Sequence, residues 1–261
     1  MTPSRPRPES LVEHLRALQC STAARVAQDL LATATREDWS PERFARELCA
    51  HELEGRRQRR ITRLAKAAHL PPGKTLATLE QDRLPLRIRR QVTALCTGEF
   101  VDEALNVLIF GLPGRGKTHV AAAVGAALVQ LGRQVLFTPT FQLVDLLLRA
   151  KRDLQLERQL RRLDRFEVLI LDDLGYVQQN RDEMEVLFTL LADRYERRSV
   201  MITSNLVFSQ WDRIFKDPMT TAAAIDRVVH HSLIIEFGKD TRSVRAEQAK
   251  QRQHEREAAS A

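Results

Sequence analysis

The segment Gly111-Leu112-Pro113-Gly114-Arg115-Gly116-Lys117-Thr118 constrains this chain more than any other. It follows the apolar run Val107-Leu108-Ile109-Phe110 and leads into an Ala- and Val-rich stretch, so it reads as a Gly-rich turn between a buried strand and a helix. An ordinary turn has no need of Gly, Gly, Lys and Thr at these intervals. A phosphate-binding loop does. The glycines let backbone N–H groups wrap an anion at a helix N-terminus, a lysine bridges the β- and γ-phosphates, and a hydroxyl reaches Mg²⁺. The expected contacts to ATP and Mg²⁺ are Gly111, Pro113, Gly114, Arg115, Gly116, Lys117, Thr118 and His119, with Thr118 on the metal.

Four further apolar runs follow, at Val135 to Thr138, Val168 to Leu171, Val200 to Thr203 and Leu233 to Phe237. Helical stretches separate them at 118–131, 141–163, 182–197 and, as two short pieces, near 210–228. Such alternation predicts an α/β fold with a parallel sheet covered on both faces. The third run ends in Asp172-Asp173. Asp172 is expected to complete the Mg²⁺ shell, partly through water, and Asp173 to polarise the attacking water. Glu is commoner in the second post. The shorter Asp sets its carboxylate about one C–C bond further back, which suggests slow hydrolysis or a base supplied differently. The fourth run ends in Thr203-Ser204-Asn205, where the Asn205 amide would reach the γ-phosphate or its water unless the segment is a plain strand-end turn. Arg227, in Asp226-Arg227 before the last run, would face a neighbouring subunit's nucleotide or else form a surface ion pair.

The N-terminal part has a different texture. Residues 1–10 are rich in Pro and Arg and read as a disordered tail. Leu11, Leu15, Leu18, Val26, Leu30 and Leu31 recur at helical steps, and Ser40-Pro41 is a helix start with Ser40 as cap. The pattern continues to Pro71-Pro72-Gly73. The expected organisation is a tail at 1–10, a small all-helical domain at 11–72, a linker at 73–104 containing a short basic helix around Arg87, Arg89 and Arg90, an ATPase domain at 105–240 and a C-terminal tail at 241–261. The three cysteines have neither zinc-ligand nor disulfide-framework spacing, and no segment is apolar enough to span a bilayer, so a reducing cytoplasm is the expected setting.

Charge divides unevenly. Of the net +7, residues 1–100 carry 18 Lys+Arg against 12 Asp+Glu, and residues 101–261 carry 23 against 22. One basic segment comprises Arg56, Arg59, Arg60, Arg63 and Lys66. A second, residues 149–165, has a net +4 and includes Arg149, Arg152, Arg158, Arg161 and Arg162. Either is a phosphate-contacting surface or a merely solvated helix face. With 34 Arg, 7 Lys and 5% aromatics, contact to phosphates is favoured over stacking on bases, which implies steep salt dependence and weak sequence preference.

These features in this order resemble the AAA+ ATPases, and more specifically the IstB family of insertion-sequence helper ATPases, kin of the DnaC and DnaI helicase loaders. The resemblance rests on Asp172-Asp173-Leu174-Gly175-Tyr176, Asp193 to Ser199, Ile202 to Asn205 with Trp211, and Asp226-Arg227 followed by His230-His231. It implies a P-loop AAA+ three-layer αβα domain, Asn205 as first sensor and Arg227 as a finger acting in trans. It also implies a homo-oligomeric ring or spiral on double-stranded DNA, with a transposase as partner. Three stretches depart from the family pattern: Arg115 replaces a small residue, Leu79 to Arg83 lacks aromatics, and Gly238 to Arg242 retains only Arg242 clearly. The stretch that follows Phe237 is too short for a full multi-helix lid. Rival readings are a helicase loader, a nucleotide-switched architectural DNA-binding protein with little turnover and, more distantly, a small-molecule P-loop kinase.

Overall fold

The computed structural model of the chain describes residues 10–175, 181–206 and 228–238. Tyr176, Trp211, Asp226, Arg227, the helices expected near 210–228, Arg242 and the C-terminal segment on which the expectation of no lid rests lie outside the described residues. The chain divides into two compact units, Met1–Arg63 and Leu64–Ala261. The division falls within one long helix.

The first unit contains α1 (Leu11–Ala17), α2 (Ser21–Arg36) and most of α3 (Pro41–Ala67). Ser10 and Glu13 form a reciprocal capping box on α1, which satisfies two of its free amides. The Ser40 hydroxyl accepts from the Arg43 amide at 3.2 Å, as a helix cap followed by Pro41 requires. Ala23, Ala27 and Leu48 form the centre of this unit's core, ringed by Val12, Leu15, Val26, Leu30 and Phe44. Its most constrained polar group is Glu52 on α3. The buried Glu52 carboxylate accepts from the backbone amides of Thr22 (2.8 Å) and Ala23 (3.0 Å), so α3 caps the N-terminus of α2. It also accepts from Arg56 (2.8 Å) and Arg59 (3.1 Å). Burial raises the Glu52 pKa, but the Arg56 hydrogen bond, the Ala23 and Thr22 amides and the Arg59 charge together outweigh it and hold the pKa at about 2.

A folded-state pKa below the ordinary 4.5 means that this contribution is present above pH 4.5 and is lost as pH falls towards about 2, because the unfolded chain then binds the proton more readily. Glu52→Gln is expected to cost about 1–2 kcal/mol near neutral pH, a figure discounted because both arginines are half exposed. Urea unfolding of the full chain at pH 7 and pH 3 checks this. The difference between wild type and variant should shrink at the lower pH.

The second unit holds one parallel five-stranded sheet, in spatial order β2-β3-β4-β1-β5. Its strands are β1 (Asn106–Gly111), β2 (Val135–Pro139), β3 (Val168–Leu174), β4 (Ser199–Ser204) and β5 (Ser232–Phe237). The continuous apolar runs of β1, β3 and β4 are buried on both faces, as parallel strands between helices must be. On one face Leu108, Phe110, Leu169, Leu171 and Ile202 pack against α7 (Thr140–Arg152), α8 (Leu156–Leu163) and α9 (Arg181–Arg194). On the other, α6 (Lys117–Gln130) brings Gly125 against Ile170. Its Val120, Ala121, Ala122, Ala123, Val124 and Leu128 have no exposed surface, which is why α6 is apolar all round. The stretch expected as a linker carries α4 (Leu86–Leu95) and α5 (Glu99–Asp102). Among the described residues no helix is long and apolar enough to cross a membrane.

The helix expected over 141–163 is two helices, α7 and α8. Asp153, Leu154 and Gln155 separate them, with Leu154 in left-handed backbone (φ 55°). The break satisfies α7's last carbonyls. The Gln155 amide donates to Ala150 O at 2.7 Å and the Leu154 amide to Lys151 O at 3.2 Å.

Candidate nucleotide site

Insertion of β4 between β1 and β3 determines what meets at the C-terminal edge of the sheet. The loop after β1, the end of β4 and the end of β3 become neighbours in that order, where an open parallel sheet binds ligands. Gly111, the last residue of β1, pairs with Phe237 of β5, and a Cβ at Gly111 would lie 2.6 Å from the Phe237 Cβ. Its lack of a side chain is thus required for strand packing at the base of the loop. Gly116 precedes the first turn of α6 at φ 93°, with nothing within 4 Å of the space a Cβ would fill. That left-handed residue turns the chain into the helix and leaves room over the first-turn N–H groups, which have no intrahelical partner. Pro113 and Gly114 lie between these points, and Gly114 is also at positive φ.

Lys117 is 5% exposed and folds back along its own loop, its Nζ donating to Gly111 O at 2.7 Å and Leu112 O at 3.2 Å. The Thr118 hydroxyl is one of the groups that hold the Asp172 pKa down. The Asp172 carboxylate accepts from Thr203 Oγ1 at 2.6 Å, and its backbone carbonyl accepts from Thr140 Oγ1 at 2.9 Å. Burial pushes the Asp172 pKa up and the Asp173 charge adds to this, against the opposing Thr203 and Thr118 hydroxyls and the Lys74 charge. A buried, hydroxyl-tethered carboxylate beside the loop threonine is the donor set that a hard divalent cation prefers. The cradle of small residues and the poised ammonium fit a triphosphate equally well. Arg115 fits the same picture: among the described residues its buried Nε has no hydrogen-bond partner.

Asp173 is exposed and sits in left-handed backbone (φ 59°), where the β3–β4 register shifts between Leu171 and Leu174. Its amide donates to Thr203 Oγ1 at 2.9 Å. Thr203 therefore links both acidic residues, one through the side chain and one through the backbone, a role that sequence reading missed. The available signal was a hydroxyl inside an otherwise apolar strand. Asn205, half-buried, follows the last residue of β4. His119 Nε2 lies at 3.2 Å from both Thr78 Oγ1 and Thr75 O, so the 75–78 turn is its neighbour.

The basic candidates also separate. Arg56 and Arg59 are tied to Glu52, while Arg60, Arg63 and Lys66 are exposed on α3. Arg149 pairs with Asp145 at 2.6 Å and Arg161 with Glu157 at 3.6 Å, and Arg152 is exposed. Arg158, Arg161, Arg162 and Arg165, with Gln155 and Gln159, line an open cleft of about 670 Å³. Among the described residues no carboxylate lines it.

Comparison with known proteins agrees with this geometry. The profile of the family described as IstB-like ATP binding protein matches residues 13–252. The chain is 48% identical over 209 residues to an insertion-sequence ATP-binding protein of Sinorhizobium fredii, covering 80% of this chain and 70% of the relative. It is 39% identical over 205 residues to the ATP-binding protein of insertion sequence IS21 from Pseudomonas aeruginosa, covering 78% and 77%. The solved structure of DnaI aligns over 65% of this chain and 95% of its own, at 20% identity and a TM-score of 0.53. DnaA bound to AMPPCP and single-stranded DNA aligns over 70% and 56%, at 17% identity and a TM-score of 0.54. These two likenesses are of fold, and the fold is the parallel-sheet α/β architecture expected from the sequence.

Proposed function

Because the chain belongs to the family of IstB-like ATP-binding proteins, we propose that it is a cytoplasmic Mg·ATP-dependent ATPase that assembles with its own copies on duplex DNA and assists a transposase in engaging target DNA. The observation that carries the ATPase part is the buried Asp172 carboxylate, hydrogen-bonded to Thr203 at 2.6 Å beside the loop and its buried lysine. Bound Mg²⁺ would supply charge neutralisation at the β- and γ-phosphates. Lys117 would exchange its carbonyl partners for phosphate oxygens, and the α6 N-terminus would receive the negative charge. Asp173 would orient water, Asn205 would lie at the strand tip within reach of the terminal phosphate, and Arg227 would come from a neighbouring subunit.

The DNA part rests on the arginine-lined cleft at α8. Arg161 is paired with Glu157, but four guanidinium groups around one concavity still leave a positive excess that attracts anions, and phosphates spaced along a duplex strand are such anions. In anisotropy measurements with a labelled duplex, Mg·ATP is expected to tighten binding at least about 10-fold through assembly, and Lys117→Ala to remove that gain. Arg158→Glu with Arg162→Glu should weaken binding at all sequences alike and lower the salt slope by about 2. DNA affinity that ignores ATP would sink the switch. Tighter binding to single strands than to duplex would favour the helicase-loader reading.

A further inference from the structure

At the end of the sheet opposite the nucleotide lies a second cluster of metal-competent side chains, and we propose that Glu196, His230 and His231 bind a divalent transition-metal ion of the Zn²⁺ class. Glu196 lies in the turn between α9 and β4, and the two histidines lie immediately before β5. One potential ligand atom from each lies within 4.8 Å of those of the other two. His231 Nε2 is 3.0 Å from Glu196 Oε1, so the two need only part to about 3.4 Å, by a small rotation of the exposed Glu196 side chain, to share one tetrahedral ion at about 2.0–2.2 Å.

A simple His231–Glu196 ion pair explains that one distance but not the rest of the arrangement. The Tyr195 hydroxyl lies 3.4 Å from His230 Nδ1. A phenol oxygen accepting from that nitrogen leaves Nε2 bare of hydrogen and available to a metal, which is how ligating imidazoles are oriented. The two imidazoles meet edge to face, with centroids 4.5 Å apart. The backbone of His231 is pinned to the sheet, its carbonyl accepting from the Asn106 amide at 2.7 Å. Glu196 occupies left-handed backbone (φ 55°), a strained conformation for Glu and one that sites with a task tend to retain.

Two imidazoles and one carboxylate suit Zn²⁺ better than Mg²⁺, which demands an oxygen shell. Three protein ligands leave one position for water or for a group from another molecule. A bound ion would join the turn after α9 to the turn before β5 and so cross-link two segments far apart in sequence. The ATP reading is not needed for this inference.

The test uses tag-free, nucleotide-free full-length protein, with Zn²⁺ followed by titration calorimetry and thermal unfolding and Co²⁺ by visible absorption. One equivalent of Zn²⁺ should bind and raise the melting temperature. Co²⁺ should give the intense bands of a low-coordinate nitrogen and oxygen site. His231→Ala and Glu196→Gln should weaken binding at least about 10-fold, as should Tyr195→Phe. His230→Ala changes an exposed ring, so it keeps the test decisive if another variant fails to fold. Replacing Cys20, Cys49 and Cys96 together by Ser should change nothing. Absent binding, binding indifferent to His230→Ala, or binding lost with the cysteines would each overturn the proposal.

Discussion

Asp173→Asn is expected to lower ATP turnover at least about 100-fold while leaving nucleotide affinity and melting temperature nearly unchanged. The expectation follows from where the side chain is placed. Asp173 is exposed at φ 59°. Asparagine tolerates left-handed backbone as readily as aspartate, so the exchange removes charge without moving the chain. Its backbone N–H would keep the 2.9 Å bond to Thr203 that links β3 to β4 where their register shifts. Asp173→Glu is the informative contrast. It restores the longer reach common in such ATPases, but a glutamate is strained in that backbone by about 1 kcal/mol, so it should lower stability slightly and not raise turnover. Asp172→Asn differs from both: it weakens the tie to Thr203 and should impair Mg²⁺-dependent nucleotide binding itself. Steady-state phosphate release, paired with a fluorescent-nucleotide titration, separates these outcomes. Turnover above half of wild type in Asp173→Asn would mean that another group polarises the water.

That comparison also shows where sequence reading stops. β1, β3 and β4 were legible because a strand buried on both faces must be a continuous apolar run, and the loop because phosphate wrapping dictates its residue types; the apolar run of β5 has a different outcome, since Leu233 and Ile234 are 41% and 39% exposed. The shortness of Asp173 was visible, but the left-handed backbone that gives Asp an advantage over Glu was not. Leu11, Leu18 and Leu31, expected on an inward helix face, are 43%, 68% and 50% exposed, while Ala23 and Ala27 are buried. Helices in close approach select small side chains at the contact, and a periodicity of large apolar residues overlooks them. The break at Leu154 carries no glycine, the residue that usually signals such a turn. For Arg56 the spacing to Glu52 was readable as an i, i+4 pair, but the amides of Thr22 and Ala23 that fix Glu52 come from a different helix.

Arg194 enters the sequence reading only as part of the stretch Asp193 to Ser199 that carries the family resemblance, with no role of its own, yet it is 1% exposed. Its guanidinium donates to Leu163 O (3.2 Å), Phe166 O (2.9 Å), Glu167 O (3.2 Å) and Ser199 O (3.1 Å), joining the end of α8 to the starts of β3 and β4. Burial lowers its pKa from the ordinary guanidinium range to about 10, against a favourable Asp164 charge. The depression corresponds to about 3 kcal/mol by which the site disfavours the charge. An apolar replacement would relieve that burden, as often happens when buried charges are exchanged for hydrocarbon. Here the partners are backbone carbonyls, which cannot be exchanged along with the arginine. Two of the four bonds are fully buried and two partly so. Leu163 O and Glu167 O also accept from the Phe166 and Ser199 amides, so the loss falls on Phe166 O and Ser199 O, and two such acceptors towards the upper end of about 1–3 kcal/mol each outweigh the relief. Arg194→Met is therefore expected to destabilise the chain by about 2–4 kcal/mol in urea unfolding. Arg194→Lys, which keeps a charge but has no planar fork to span four acceptors, should recover less than half of that loss. A loss below about 1 kcal/mol in the methionine variant would show that the strand starts are held by the sheet alone. The corner lies opposite the nucleotide site, so folded Arg194→Met protein should still bind ATP with wild-type affinity. That result distinguishes a residue holding the fold from one acting on the ligand.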